Sequence, residues 1–343
     1  MKDYLKKKDP YEKHVPSVFI VCSPFQALCA IAAIKQLEIT RYIVIICLPK
    51  EELNNKQVEF LLKKYNIIYK SVSPFFIKGW TFRALRLLAL IPRNVGYNRL
   101  FIGDYRNTME LSLGYNYVRN GADVVFLDDG NPTINLLNDS ESEPMPEKSV
   151  RWLNRIEKYR KLFYIRNLLT IYGDITNNKY NIKQLNLNEA LRIQKYDDQH
   201  RGVYIIGTNV EGYCGSLNIQ ESIFISKLEE LISTVCKQYP EDRIIYIPHR
   251  RETKDYAERL CQKYGCLFRF SETMIEVEAV DFPYPPKVIY GFTSNALFTL
   301  KKLYPESKVI NILIEPSGDN LFYKDYILIS EYYQKNGVEL TKI

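Results

Sequence analysis

Val124-Val125-Phe126-Leu127-Asp128-Asp129-Gly130 is the stretch on which the fold turns. Four apolar residues in an unbroken run, too short for a helix, read as a strand buried on both faces. Two carboxylates and a glycine follow at once. A strand of this kind belongs to a parallel sheet covered by helices on both sides. In open sheets of that type, ligands sit just beyond the carboxyl ends of the strands. The residues that follow each strand are therefore the first candidates for chemistry.

Working outward, the same alternation recurs along the whole chain of 343 residues. In the first half, strands are expected at 18–22, 42–48, 66–70, 100–103 and 124–127, with helices at 25–37, 51–64, 81–90 and 109–119. In the second half, strands are expected at 203–206, 243–247, 266–270, 287–290 and 309–314. The helices between them are expected at 220–238, 255–264 and 295–303. The stretch from Tyr323 is mixed in pattern and is expected to pack back on the first domain. A polar segment at 186–202, carrying Asp197, Asp198 and Gln199, reads as the linker. The fold class is thus α/β, with a Rossmann-like doubly wound domain over 1–190 and another over 203–343, facing a central cleft.

Composition sets outer limits. Hydrophobic residues at 46% and charged residues at 25% describe an ordinary globular protein and exclude a disordered or collagen-like chain. The 27 tyrosines suit half-buried grooves, and equally suit a genome rich in A and T. Seven cysteines with no CxxC pair suggest neither a disulfide framework nor a zinc site, which fits a reducing cytoplasm. The net charge of +7 permits an anionic ligand or lipid surface without requiring one. The Lys-rich leader before the apolar run 18–34 resembles an export signal. Ser23, Pro24 and Gln26 interrupt that run, and Asp3, Asp9 and Glu12 dilute the leader, so a strand, turn and helix are expected instead. The basic stretch 151–166, with Trp152, Leu162 and Phe163, reads either as a membrane-surface helix or as a helix packed on the core. No nucleic-acid-binding module is recognisable.

Three motifs carry chemistry. Asp128-Asp129-Gly130 offers paired carboxylates, whose mutual repulsion raises at least one pKa and suits a general base. The plainer reading is a turn that caps a helix near 132–137. His249, in Ile247-Pro248-His249-Arg250-Arg251, follows a strand beside two cations that suit a phosphate. An exposed basic turn is the alternative. Gly291-Phe292-Thr293-Ser294-Asn295 follows another strand and opens a helix, where Thr293 or Ser294 caps and free N–H groups can receive an anion. Weaker candidates are the loop Gly207 to Gly212 with Asn209 and Glu211, which has neither Rossmann nor P-loop spacing, and Glu276 and Glu278, which suit a ribose or simply an exposed helix face.

Taken in this order, the motifs resemble the bacterial sialyltransferases, in particular the lipooligosaccharide sialyltransferases of glycosyltransferase family 52 and the related capsular polysialyltransferases. Ser23-Pro24-Phe25-Gln26 is similar to their first strand–loop–helix. The resemblance implies the GT-B architecture and an inverting, metal-independent transfer of sialic acid from CMP-sialic acid to a cell-surface glycan. It implies Asp128, or its neighbour Asp129, as catalytic base and His249 as the group that contacts or protonates the donor phosphate. Thr293 and Ser294, with Arg250, Gly291, Gly207 and Asn209 nearby, are implied for the nucleotide, and Glu276 for its ribose. Gln26, Ser23 and Gly130 fall on the acceptor side. Pro248-His249-Arg250 departs from the His-Pro order of that family, which leaves open a UDP-hexose or another CMP-nonulosonate as donor. A non-catalytic scaffold subunit that binds a sugar nucleotide is the reading from a different class. The expected partners are a sugar nucleotide and a glycan acceptor, with no cofactor, no metal and no nucleic acid. The expected location is the cytoplasm, with peripheral inner-membrane association and a homodimer left open.

Overall fold

The computed structural model describes residues 9–48, 51–72, 96–138, 167–191, 201–271, 273–316 and 320–343. The helix expected at 81–90, the basic stretch 151–166 and most of the linker lie outside these residues. The chain divides into two compact units, Met1–Ala190 and Leu191–Ile343.

The first unit is built on a sheet in the order β3-β2-β1-β4-β5-β6-β7. Its strands are β1 (Ser17–Val21), β2 (Tyr42–Cys47), β3 (Tyr69–Val72), β4 (Arg99–Ile102), β5 (Asp123–Phe126), β6 (Asn167–Thr170) and β7 (Asn181–Gln184). Every neighbouring pair is parallel. Its helices among the described residues are α1 (Pro24–Gln36), α2 (Glu52–Lys64), α3 (Thr108–Arg119) and α4 (Pro132–Asn138). β1 is buried along its whole length, as an apolar strand between two helical layers must be. The strand expected from residue 66 begins later, because Asn66 takes a positive φ of 53° just after α2.

The second unit repeats the pattern with the order β10-β9-β8-β11-β12-β13, again all parallel. Its strands are β8 (Gly202–Ile206), β9 (Arg243–Ile247), β10 (Leu267–Phe268), β11 (Pro286–Phe292), β12 (Lys308–Leu313) and β13 (Val338–Lys342). Its helices are α5 (Val210–Leu217), α6 (Glu221–Gln238), α7 (Lys254–Tyr264), α8 (Ile275–Ala279), α9 (Asn295–Leu303) and α10 (Leu321–Lys335). The C-terminal stretch does not join the first unit by its strand. It forms α10 and then β13, which pairs with β12 at the edge of the second sheet. Each sheet thus starts in its middle and runs out to one side before returning to the other. That reversal places the carboxyl ends of β1 and β4, and of β8 and β11, beside a crevice in each sheet.

Candidate functional site

In the first unit the Asp-Asp-Gly turn forms as expected, with Gly130 at a φ of +84° that only glycine adopts without strain. The two carboxylates have opposite surroundings. Asp128 is 0% exposed. Its Oδ1 accepts from Thr170 Oγ1 at 2.6 Å and its Oδ2 from the backbone N–H of Ile171 at 2.6 Å. Burial pushes its carboxyl up to about 7 against the lowering effect of those bonds. Asp129 keeps a side-chain exposure of 21%. Its Oδ1 accepts from Gln26 Nε2 at 2.7 Å, and its Oδ2 pairs with the guanidinium of Arg106. Burial and then the charge of Asp104 push it up to about 6, with Arg106 and Gln26 acting the other way. The expected base, Asp128, is therefore sealed below the surface, and Asp129 is the carboxylate that keeps partial exposure.

The loops after β1 and β4 support Asp129. Ser23 caps α1, accepting from Gln26 N at 3.2 Å. Gln26 is fully buried, and its Oε1 accepts from Cys22 N at 2.7 Å. One amide thereby ties the β1 turn to Asp129. Gly103 is required beside it, since a Cβ there would meet Gln26 Oε1 at 2.4 Å. Arg106 is held by Asp104, with Nε to Oδ1 at 3.0 Å. Glu110, buried at 0% exposure, accepts from Asp104 N at 2.9 Å and fixes the loop from below. Asp104, Arg106, Glu110 and Thr170 escaped the sequence reading. Asp104 and Arg106 follow a strand just as Asp128 does, so the same rule applied to β4 finds them.

In the second unit His249 is half-buried at the end of β9. Its Nδ1 accepts from Arg251 N at 3.2 Å. Glu252 Oε1 accepts from His249 N at 2.6 Å, and burial pushes that carboxyl up to about 7. Arg250 is half-buried beside it. A cavity of about 390 Å³ borders this turn, lined in part by Asn209, Glu211, Arg251 and Tyr256.

Ser294 caps α9, accepting from Ala296 N at 3.3 Å, and is half-buried. Thr293 differs from the expected phosphate ligand. It is 6% exposed, and both its N–H and its hydroxyl donate to Asn311 Oδ1, at 2.7 and 3.0 Å. Its polar groups serve the join between β11 and β12. Glu276 is likewise not an exposed helix glutamate. At 4% exposure its Oε1 accepts from Thr299 Oγ1 at 3.0 Å, which spends it on the packing of α8 against α9. Glu278 pairs with Arg269 at 2.8 Å.

The second half of the glycine-rich loop is helical: α5 begins at Val210 and contains Gly212, whose absent side chain makes room for Asn209. Gly207 packs closely against the turn after β9. A Cβ there would lie 2.1 Å from Glu252 Oε1 and 2.6 Å from His249 N. Gly291 is buried within β11, where a Cβ would meet Leu297 at 3.0 Å.

Among the described residues, no group of three or more His, Cys, Asp and Glu could hold a metal ion, and no helix is long and apolar enough to cross a membrane.

No protein-family model matches the chain, and no curated protein matches it in sequence. Solved structures do match. A UDP-N-acetylglucosamine 2-epimerase is similar at a TM-score of 0.53 and 9% identity, over 96% of this chain and 84% of that one. The UDP-GlcNAc 2-epimerase of Neisseria meningitidis, bound to UDP-GlcNAc, is similar at 0.51 and 13%, over 95% of each chain. Anabaena HepE, in complex with UDP and glucose, is similar at 0.50 and 11%, over 94% and 92%. At such identities the likeness defines the fold alone. That fold is GT-B, with two Rossmann-like units.

Proposed function

We propose that the chain is an inverting glycosyltransferase that takes a sugar from a nucleotide donor to a hydroxyl of a glycan. The observation that carries this reading is Asp129, a half-open carboxylate raised to about 6 at the end of a central strand. A base of that strength is mostly ionised at neutral pH and still accepts a proton as an alcohol attacks. In this reading Asp129 takes the proton of the acceptor hydroxyl while that oxygen bonds to the anomeric carbon from the opposite side. The bond from that carbon to the donor phosphate breaks, and its electron pair leaves on the phosphate. The second unit offers His249, Arg250 and the N-terminus of α9 at Ser294 as preorganised donors for a nucleotide phosphate. Asp128 acts one layer down, anchoring the turn on β6.

The donor we propose is CMP-sialic acid, supported by the order of the Asp-Asp-Gly, His and Ser motifs. One departing phosphate monoester is a charge that a histidine and a helix terminus can offset without a metal. A UDP-sugar is the second reading, favoured by the UDP ligands of the similar solved structures. Thermal-shift measurements with CMP, UDP and GDP, followed by transfer assays, test both. Stabilisation by CMP is the expected result. Stabilisation by UDP alone would move the donor to a UDP-sugar. Stabilisation by a nucleotide with no transfer from any sugar nucleotide would reject the enzyme reading in favour of a scaffold subunit.

A further inference from the structure

Glu252 lies outside every motif that the sequence singles out, yet the turn at the end of β9 is built around it. Its Oε2 accepts from Tyr246 Oη at 2.5 Å and its Oε1 from His249 N at 2.6 Å. Tyr246 is 0% exposed within β9, so one end of this bridge is anchored in the sheet interior. The backbone closes the same turn in the other direction, with Glu252 N donating to His249 O at 2.8 Å. Gly207, at the end of the neighbouring β8, leaves the space that the bridge fills, and any side chain there would strike both Glu252 and His249. Glu252 is half-buried, and a carboxyl with both oxygens bonded holds such a turn tightly, because loss of either bond leaves a partly desolvated polar group unpaired.

The turn also determines which face of the imidazole is useful. Arg251 N donates to His249 Nδ1. A neutral ring that accepts at Nδ1 carries its proton on Nε2. The donor is thereby directed away from the backbone.

We propose that Glu252 is a positioning residue for His249: by bridging the Tyr246 hydroxyl to the His249 N–H, it holds the turn in the shape that lets Arg251 N fix the Nε2–H tautomer for a donor phosphate. The phosphate role rests on the function proposed above, whereas the tautomer does not.

The test uses the full chain with 15N-labelled histidine. Only three histidines are present, and His249→Ala assigns the signal. In the parent, His249 is expected to show a bare Nδ1 and a protonated Nε2. Glu252→Ala is expected to average the two nitrogens and to weaken binding of the stabilising nucleotide by roughly tenfold, the consequence of one hydrogen bond left unmade. Glu252→Gln keeps both bonds, its carbonyl accepting from His249 N and its amide donating to Tyr246 Oη. It is expected to restore the tautomer and nucleotide affinity to within about threefold of the parent, a few tenths of one such bond. A parent-like tautomer in Glu252→Ala would overturn the proposal. So would Glu252→Gln failing alongside Glu252→Ala in a folded protein. A parent that binds neither CMP nor UDP would sink the functional reading alone, since the nitrogen signals still decide what Glu252 does.

Discussion

The paired substitutions Asp128→Asn and Asp129→Asn separate the two halves of the acidic turn. Asp128 is enclosed, and its carboxyl is raised from 3.8 in water to about 7. A raised carboxyl binds its proton more tightly in the folded state than in the unfolded state. Its contribution to stability is fully present below pH 3.8 and is lost as pH rises through about 7. Between pH 5 and pH 8 that loss amounts to about 3 kcal/mol by linkage. Asparagine mimics the neutral form: its carbonyl accepts from Ile171 N, and its amide meets Thr170 Oγ1, which also has acceptor capacity. Asp128→Asn should therefore flatten the pH dependence, gaining on the parent by about 3 kcal/mol at pH 8 relative to pH 5. It should retain transfer activity. Asp129→Asn should flatten the profile less, by about 1 kcal/mol over the same range because that carboxyl is raised only to about 6, and should reduce transfer by about 10²- to 10⁴-fold, the usual worth of a general base. Guanidinium melts at the two pH values and initial transfer rates provide the readouts. The reasoning fails if Asp128→Asn abolishes transfer while Asp129→Asn spares it, or if the two proteins lose stability in parallel as pH rises.

Three further outcomes follow from the same geometry. Gly207→Ala drives a Cβ into Glu252 and the His249 backbone, so it should cost about 1–3 kcal/mol by overpacking and weaken nucleotide binding in calorimetry. Thr299→Val removes the hydroxyl that donates to buried Glu276; stability should fall by about 1–3 kcal/mol. Nucleotide affinity should hold, and a large loss of affinity without loss of stability would return Glu276 to the ribose. Arg106→Met removes the cation that holds the Asp129 carboxyl down. The acid limb of the rate profile should then move to higher pH, and an unmoved limb would exclude Asp129 as the titrating base.

Local chemistry made much of the fold legible. Unbroken apolar runs such as residues 43–47 and 124–127 announce buried parallel strands, and α9 was delimited to the residue because Ser294 caps it. β6 and β7 left no such trace. Each has four residues, and β7, Asn181–Gln184, lies at the sheet edge with one apolar side chain, Ile182, among three polar ones. The helical start at Val210 was hidden by the glycines around it, which mark a close approach of the chain.

The sequence by itself determined which residues reach the strand ends: Asp128, Asp129, His249, Thr293 and Ser294 all stand where the apolar pattern stops. It had no means of saying which of them remain open to a ligand. That depends on partners brought in from far along the chain. Thr170, 42 residues away, helps enclose Asp128, and Gln26, 103 residues away, orients Asp129. Asn311 occupies Thr293, and Thr299 occupies Glu276. A strand end is fixed by the period of its own residues, whereas the availability of a carboxylate is fixed by burial and hydrogen bonding across the sheet, which only the tertiary structure supplies.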